Sequence, residues 1–151
     1  MLVGHSLGGL VARQVALDTV IRSGGTSALN KPRIHLALYA VPNLGTNLAK
    51  LASTLAWWNI QIKQLCRNSD FVSALNKNWD YYGLDKLRIV YVLGTNDSIV
   101  DQDSARHFPG NGNVEVVMDA THSNIISPVD NEDIRYLILK DFLSDLEAGH
   151  H

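Results

Sequence analysis

The chain has 151 residues, of which 46% are hydrophobic and 19% are charged, a balance that excludes a disordered or fibrous protein and is typical of a globular domain. Its net charge of −2 gives no reason to expect binding to nucleic acid or to an anionic membrane surface. No hydrophobic run is long enough for a transmembrane helix.

The first ten residues contain the most informative motif of the chain. Gly4-His5-Ser6-Leu7-Gly8 matches G-x-S-x-G, the nucleophile elbow, in which a serine lies on a sharp turn between a strand and a helix. The glycines suit this turn because it needs positions without a Cβ atom. Met1-Leu2-Val3 would end a buried strand, and residues 7–21 are predicted to be helical. The predicted apolar positions of the helix are Leu7, Leu10, Val11, Val15 and Ile21, with Arg13, Gln14 and Asp18 on its surface.

A second strand is predicted over residues 33–41, where a mostly apolar run ends at Pro42 and indicates burial on both faces. Helices are predicted over residues 47–58, over 59–66 as a continuation or a separate helix, and over 69–79 with Ser69 as the N-cap. This segment is rich in aromatic residues: Trp57, Trp58, Phe71, Trp79, Tyr81 and Tyr82. We favour the interpretation that they pack helices onto the sheet; the alternative is a cap over an apolar substrate pocket.

Two further strands are predicted, over residues 87–93 and 114–118, with a short helix over 103–107 between them. The last helix is predicted to begin at Ser127-Pro128, because proline is tolerated in a first turn. The alternation of strands and helices predicts an α/β fold with a parallel sheet flanked by helices. We expect a single domain over residues 1–148 that includes a helical, cap-like segment at about 47–82. Gly149-His150-His151 resembles the start of a purification tag.

Three chemically suited residues follow three of the predicted strands. Ser6 follows the first, Asp97 follows residues 87–93, and His122 follows residues 114–118. Because parallel strands place their carboxyl ends at the same end of a sheet, we expect these side chains to meet. A serine hydroxyl is a weak nucleophile that needs a base, itself oriented by an acid. The sequence therefore predicts Ser6 as nucleophile, His122 as base and Asp97 as acid, with no metal or organic cofactor.

Each partner of the serine has competitors. Asp101 and Asp103 lie just beyond Asp97 but look more like the start of a helix, where acidic side chains interact favourably with the helix dipole. The other histidines are expected away from the reacting atoms: His5 under the elbow turn, His35 in or near the core, and His107 on a surface helix.

At these residues the chain resembles the α/β-hydrolase superfamily, and more narrowly its lipase-like serine esterases, which include the GPI inositol-deacylase-like proteins. Residues 3–12, 69–76, 93–100 and 121–128 carry the resemblance, together with Ala40-Val-Pro-Asn-Leu-Gly-Thr46, which is similar to the T-P-H-x-G-[ST] turn of the family. The resemblance implies a catalytic triad of Ser6, Asp97 and His122, in the chain order of the family, with the backbone N–H of Leu7 in the oxyanion hole. Asn43 stands where the family often has histidine.

The resemblance also implies a truncated fold that lacks its N-terminal strands. In the family the elbow follows about four earlier strands, and the second oxyanion-hole N–H comes from a loop after one of them. We therefore expect the C-terminal half of a hydrolase, with its elbow strand exposed as an unpaired sheet edge.

Two functions are expected from these observations. The first is a serine hydrolase that cleaves a carboxylic or lipid ester through an acyl-enzyme, with transfer of the acyl group to an acceptor other than water left open. The second is a catalytically silent half-domain that acts by self-association or by pairing with a partner chain through the exposed edge. We expect a cytoplasmic location, because Cys66 is the only cysteine and the N-terminus lacks the basic segment of a signal peptide.

Overall fold

The computed structural model describes residues 1–25, 34–44, 69–100 and 112–149. Within these ranges the strands are β1 (Leu2–His5), β2 (His35–Tyr39), β3 (Arg88–Gly94) and β4 (Asn113–Val117). The helices are α1 (Leu7–Arg22), α2 (Ser69–Tyr81) and α3 (Ile134–Glu147), and short 3-10 turns occur at Leu84–Lys86 and Asn124–Ile126. The observed strands and α2 lie within a few residues of the predicted ones.

The four strands form one sheet in the order β1-β2-β3-β4, and every neighbouring pair is parallel. Strand β3, one of the two central strands, is buried from Ile89 to Gly94, as its apolar, β-branched sequence predicts for a strand covered on both faces. Because the strands are parallel, their carboxyl ends lie at the same end of the sheet. The structure thus confirms the predicted α/β fold with a parallel sheet flanked by helices.

The sheet separates two cores, because successive residues of a strand point to opposite faces. On one face, the even-numbered residues of β2 join apolar side chains of α1 and α2. On the other face, Ala37 and Tyr39 of β2 pack with Ile138 and Phe142 of α3. Burial of each large apolar side chain stabilises the fold by about 1.5–3 kcal/mol. The sheet is therefore held from both sides by helices.

The buried face of α1 differs from the prediction. Its buried residues are mostly small or apolar: Gly9, Leu10, Ala12, Arg13, Ala16, Leu17 and Val20. Val11, Val15 and Ile21, which were predicted to face the core, are exposed, and Arg13, predicted on the surface, is fully buried. Alanine and valine give α1 two faces that could each be buried, so its apolar pattern alone does not determine the orientation. Contacts with distant residues decide it.

Arg13 is buried within a cluster of polar and aromatic partners. Its Nη1 donates to Oδ1 of Asn43 at 3.1 Å, and its Nη2 donates to Oδ1 of Asn76 at 2.8 Å. The guanidinium lies 4.7 Å from the ring centroid of Trp79, and Nδ2 of Asn76 donates to the backbone carbonyl of Asn43 at 2.9 Å. Burial lowers the pKa of Arg13 to about 10, so the side chain remains a cation at neutral pH. The cluster ties α1 to α2 and to the segment after β2.

The last helix begins later than predicted, at Ile134 rather than at Ser127-Pro128. Asp133 is the N-cap, and its Oδ1 accepts a hydrogen bond from the backbone N–H of Arg135 at 2.9 Å. Its other oxygen accepts from the backbone N–H of Val129 at 3.0 Å. Asp133 therefore satisfies donors on both sides of the helix start, which proline at position 128 cannot do.

Several predictions concern residues outside the described ranges. These are the helices at 47–58, 59–66 and 103–107, and the C-terminal residues 150–151. Trp57 and Trp58 lie outside as well. Of the other aromatic residues of this segment, Trp79 is fully buried, Phe71 and Tyr82 pack against the core, and Tyr81 is exposed. The described aromatics thus agree with the core-packing interpretation at every position except Tyr81.

Candidate active site

Ser6 lies on the turn between β1 and α1, in a backbone conformation that is rare for a residue with a side chain. Its φ of 55° and ψ of −129° lie outside the regions that a strand or helix occupies. The turn is held by the N–H of Ser6, which donates to the carbonyl of Tyr39 at 2.9 Å, and by the N–H of Gly9, which donates to the carbonyl of Ser6 at 3.0 Å. Such strain is frequent at functional sites and persists when the surroundings enforce it.

Two glycines allow this turn, but they are not the pair that the motif indicates. A Cβ atom on Gly4 would lie 2.6 Å from Cα of Gly9, and a Cβ atom on Gly9 would lie 2.1 Å from Cγ2 of Val41. By contrast, a Cβ atom on Gly8 meets no atom of the described residues within 4 Å. The close approach of strand and helix therefore depends on Gly4 and Gly9, and no atom of the described residues requires glycine at position 8.

Asp97 follows β3 in a turn that is tied to the chain after β4. The N–H groups of Thr95 and Asn96 donate to the carbonyls of Val117 and Ala120 at 3.1 and 3.0 Å. Oδ1 of Asp97 accepts from the backbone N–H groups of Ile99 at 2.9 Å and Val100 at 2.8 Å. These bonds fix one carboxylate oxygen, and the other is directed to the neighbouring histidine.

His122 lies between Asp97 and Ser6 and is hydrogen-bonded to both. Its Nδ1 is 2.9 Å from Oδ2 of Asp97, and its Nε2 is 2.9 Å from Oγ of Ser6. Because a carboxylate only accepts, Nδ1 carries the proton and Nε2 of the neutral ring accepts from the serine hydroxyl. Ser6 and His122 are each only 6% exposed. The structure thus brings together the three side chains that the sequence singles out.

The surroundings of Asp97 keep it ionised. Burial alone would raise the pKa of Asp97, but hydrogen bonds from His122 and from the N–H groups of Val100 and Ile99 outweigh it and hold the pKa below its usual range. An ionised carboxylate at this position holds the imidazole in the tautomer whose Nε2 is a base. The same carboxylate would stabilise an imidazolium if Nε2 took a proton.

The competing residues are placed as follows. Asp101, Asp103 and His107 lie outside the described ranges. His35 is half-buried in β2. Leu7 is the first residue of α1, directly after Ser6. Its predicted role as an oxyanion-hole donor remains a prediction.

His5 was expected to pack under the elbow, but it lies beside His122. Its Nε2 is 2.8 Å from the backbone carbonyl oxygen of His122, and the two ring centroids are 4.9 Å apart. The residues around Ser6 do not predict this contact, because His5 and the loop after β4 are far apart in the chain. The only indication in the sequence is that a histidine, which can donate a hydrogen bond, directly precedes the serine.

Arg135 supports the loop that carries His122. Its Nη1 donates to the carbonyl of Asn124 at 2.7 Å, and its guanidinium is also paired with Asp133. In the described ranges no group of three or more His, Cys, Asp and Glu side chains could hold a metal ion. None of the helices in those ranges has the length and apolar character that a membrane crossing requires.

Comparison with known proteins gives similar sequences and similar solved structures. No protein-family model matches the chain. Protein SERAC1 from Danio rerio is 27% identical over 162 residues, which cover 97% of this chain and 24% of that protein. The chain thus spans about a quarter of the length of this relative.

The solved structures are more distant in sequence but similar in fold. The crystal structure of human thioesterase 2 has a TM-score of 0.56 and 18% identity, with 99% of this chain and 73% of that chain covered. The crystal structure of the Paleococcus ferrophilus monoacylglycerol lipase also has a TM-score of 0.56, with 15% identity and coverage of 95% of this chain and 67% of that chain. Together with the parallel sheet and the strand–serine–helix turn, these similarities show that the chain has the α/β-hydrolase fold.

Proposed function

We propose that the chain is a serine hydrolase that cleaves a carboxylic or lipid ester through an acyl-enzyme. The observation that carries the proposal is the continuous hydrogen-bonded chain from Ser6 Oγ through His122 to Asp97, with both bonds at 2.9 Å. A nucleophile in contact with a base that an acid orients is the arrangement that acyl transfer requires.

In the proposed reaction Ser6 Oγ attacks the ester carbonyl carbon while His122 Nε2 takes the hydroxyl proton. The tetrahedral intermediate collapses, the carbon–oxygen bond to the alcohol breaks, and the imidazolium returns the proton to the leaving alkoxide. Water then attacks the acyl-enzyme by the same route and releases the acid. Asp97 stabilises the imidazolium in both halves, and the N–H of Leu7 is proposed to donate to the oxyanion.

The names of the similar structures, a thioesterase and a monoacylglycerol lipase, support an ester or thioester as the substrate class. We favour a carboxylic or lipid ester. No cofactor is needed for the proposed steps, since each one moves only protons and an acyl group between the side chains, water and the substrate.

The test is covalent labelling of the purified chain with a fluorophosphonate probe, read as a mass increase of the intact protein. We expect one label per chain, and we expect Ser6→Ala and His122→Ala to slow labelling at least about a hundredfold. Ser144→Ala, which changes an exposed serine of α3, is the matched control and should label like the unmodified chain. A folded chain that does not label, or one that still labels after Ser6→Ala, would contradict the proposal.

A second function is favoured by the free edge of β1. Within the described residues β1 pairs with β2 on one side only, and Val3 of β1 is about half exposed. Apolar surface beside unpaired backbone groups is suited to strand addition. A folded, unlabelled chain that forms dimers in light scattering would favour this pairing function over hydrolysis.

A further inference from the structure

We propose that His5 is a positioning residue that holds the backbone of His122 in register with Ser6. The inference deepens the proposed hydrolase function and rests on it. Its basis is that two consecutive residues of the elbow contact the same histidine at two different points, one through the peptide and one through the ring.

The geometry defines the direction of the His5 contact. Nε2 of His5 is 2.8 Å from the carbonyl oxygen of His122. A carbonyl oxygen only accepts, so Nε2 of His5 carries the proton and donates it to this bond. Ser6 binds Nε2 of the His122 ring at 2.9 Å. His5 and Ser6 therefore hold His122 at its backbone and at its reacting nitrogen, with the two imidazole rings tilted at 43° to each other.

Two hydrogen bonds within this loop act on residues other than His122. Oδ1 of Asn124 accepts from the N–H of Thr121 at 2.7 Å, and the N–H of Ile125 donates to the carbonyl of Thr121 at 3.2 Å. They shape the loop as a local turn. The His5 bond instead connects the peptide of His122 to the elbow, 117 residues away in the chain. Together with the bond between Ser6 and the His122 ring, it therefore fixes the position of the loop relative to the elbow.

His5 is suited to this role because it is neutral at physiological pH. Burial lowers the pKa of His5, and the hydrogen bond to His122 and the charge of Asp97 only partly oppose that effect. A neutral ring with its proton on Nε2 donates to the carbonyl without placing a second positive charge beside the imidazolium of the reaction.

A cleft beside His5 makes the proposal testable by substitution. The cleft has a volume of about 190 Å³ and is lined by apolar side chains that include Tyr39, Ile125 and Leu139. An unbranched side chain of similar length can be accommodated there. Glutamine places an N–H donor near the position of the histidine Nε2, whereas methionine has a similar shape and no donor, so His5→Gln and His5→Met form a matched pair.

The experiment compares the unmodified chain and these two variants in the hydrolysis of a p-nitrophenyl ester and in their thermal unfolding. We expect His5→Met to lower kcat about tenfold to a hundredfold with KM within about threefold, since a small displacement of a catalytic group has effects of this size. We expect His5→Gln to restore kcat to within about threefold of the unmodified chain, with similar melting temperatures for both variants. Equal kcat values for the Gln and Met variants would overturn the proposal.

A second measurement separates this inference from the proposed function. In a proton NMR spectrum, the Nδ1 proton of His122, which is bonded to Asp97, should give a strongly downfield signal that Asp97→Asn removes. We expect this signal to be lost or shifted in His5→Met and retained in His5→Gln. If the unmodified chain does not hydrolyse esters, the hydrolase proposal fails, yet the NMR comparison still tests positioning. An unchanged signal in His5→Met would overturn it.

Discussion

Replacing Gly9 with alanine should destabilise the protein, whereas the same change at the neighbouring Gly8 should stabilise it. Alanine is preferred over glycine in a helix interior by about 1 kcal/mol, and this value is an upper limit for Gly8 and Gly9, which lie in the first turn of α1. At Gly8 the gain in helix propensity is the whole expected effect on stability, because the added Cβ atom meets none of the described atoms within 4 Å. At Gly9 the Cβ atom would lie 2.1 Å from Cγ2 of Val41, with Cγ1 and Cβ of the same side chain at 3.0 and 3.1 Å.

The size of the Gly9 effect follows from these contacts. Val41 is itself buried and follows Ala40, whose φ of 48° already strains that segment. Val41 therefore cannot move away freely. Overpacking of a core typically costs about 1–3 kcal/mol, and here it exceeds or cancels the gain in helix propensity. We expect the free energies of unfolding of the two variants to differ by about 1–3 kcal/mol in favour of Gly8→Ala.

Urea unfolding of both variants, followed by circular dichroism, measures this difference. The double variant Gly9→Ala/Val41→Ala is the control for the mechanism, because removal of the Val41 methyl groups should relieve the clash. The two changes should therefore be less destabilising together than the sum of the single ones. Equal stability of Gly8→Ala and Gly9→Ala, or strictly additive effects in the double variant, would refute the reasoning.

Two further predictions follow from ionisable side chains that are removed from water. Arg13→Met should lower the free energy of unfolding, measured by urea unfolding, by about 2–4 kcal/mol, because it leaves the side-chain oxygens of Asn43 and Asn76 without their donor. A change smaller than about 0.5 kcal/mol, which is usual for a surface substitution, would contradict this prediction. Acidification should lower stability in two steps that a pH series of urea midpoints would resolve. The first begins as pH falls below 6.5, the ordinary pKa of histidine, because burial lowers the pKa of His5 and the unfolded chain takes up that proton first. The second begins below 3.8, the ordinary pKa of aspartate, because Asp97 has a lowered pKa in the folded state and its stabilising contribution is lost as pH falls through it. His5→Gln should remove the first step alone, and persistence of that step in the variant would show that another group causes it.

The meeting of Ser6, Asp97 and His122 was predictable from sequence because it depends on topology. Each residue follows a strand of a parallel sheet, and a strictly parallel sheet collects such residues at one end. The prediction needed only the strand positions, which apolar runs mark clearly. It did not need the side-chain packing of any helix. The catalytic roles of these residues remain proposals.

The orientation of α1 was not predictable because it depends on partners far away in the chain. Arg13 is buried by Asn43 and Asn76, which lie 30 and 63 residues further on, and no local pattern indicates such a contact. A charged residue in a helix is usually on the surface, so the local prediction took the more frequent case. The predicted start of α3 was wrong for a related reason. Asp133 is the N-cap of that helix, and its choice over Pro128 as the start depends on hydrogen bonds to residues on both sides of Asp133.

The sheet order also bears on when the site forms during folding. The strands are arranged in space in the same order as in the chain, and each parallel pair requires a long crossover connection. The hydrogen bond between Asp97 and His122 joins residues 25 apart, whereas the bond between His122 and Ser6 joins residues 116 apart. Loop closure disfavours the longer contact, and non-local contacts form slowly. A chain in which only β3, β4 and α3 have assembled holds an oriented histidine without a nucleophile. The proposed site is therefore complete only when β1, which leads to Ser6, and the loop after β4 are both in place.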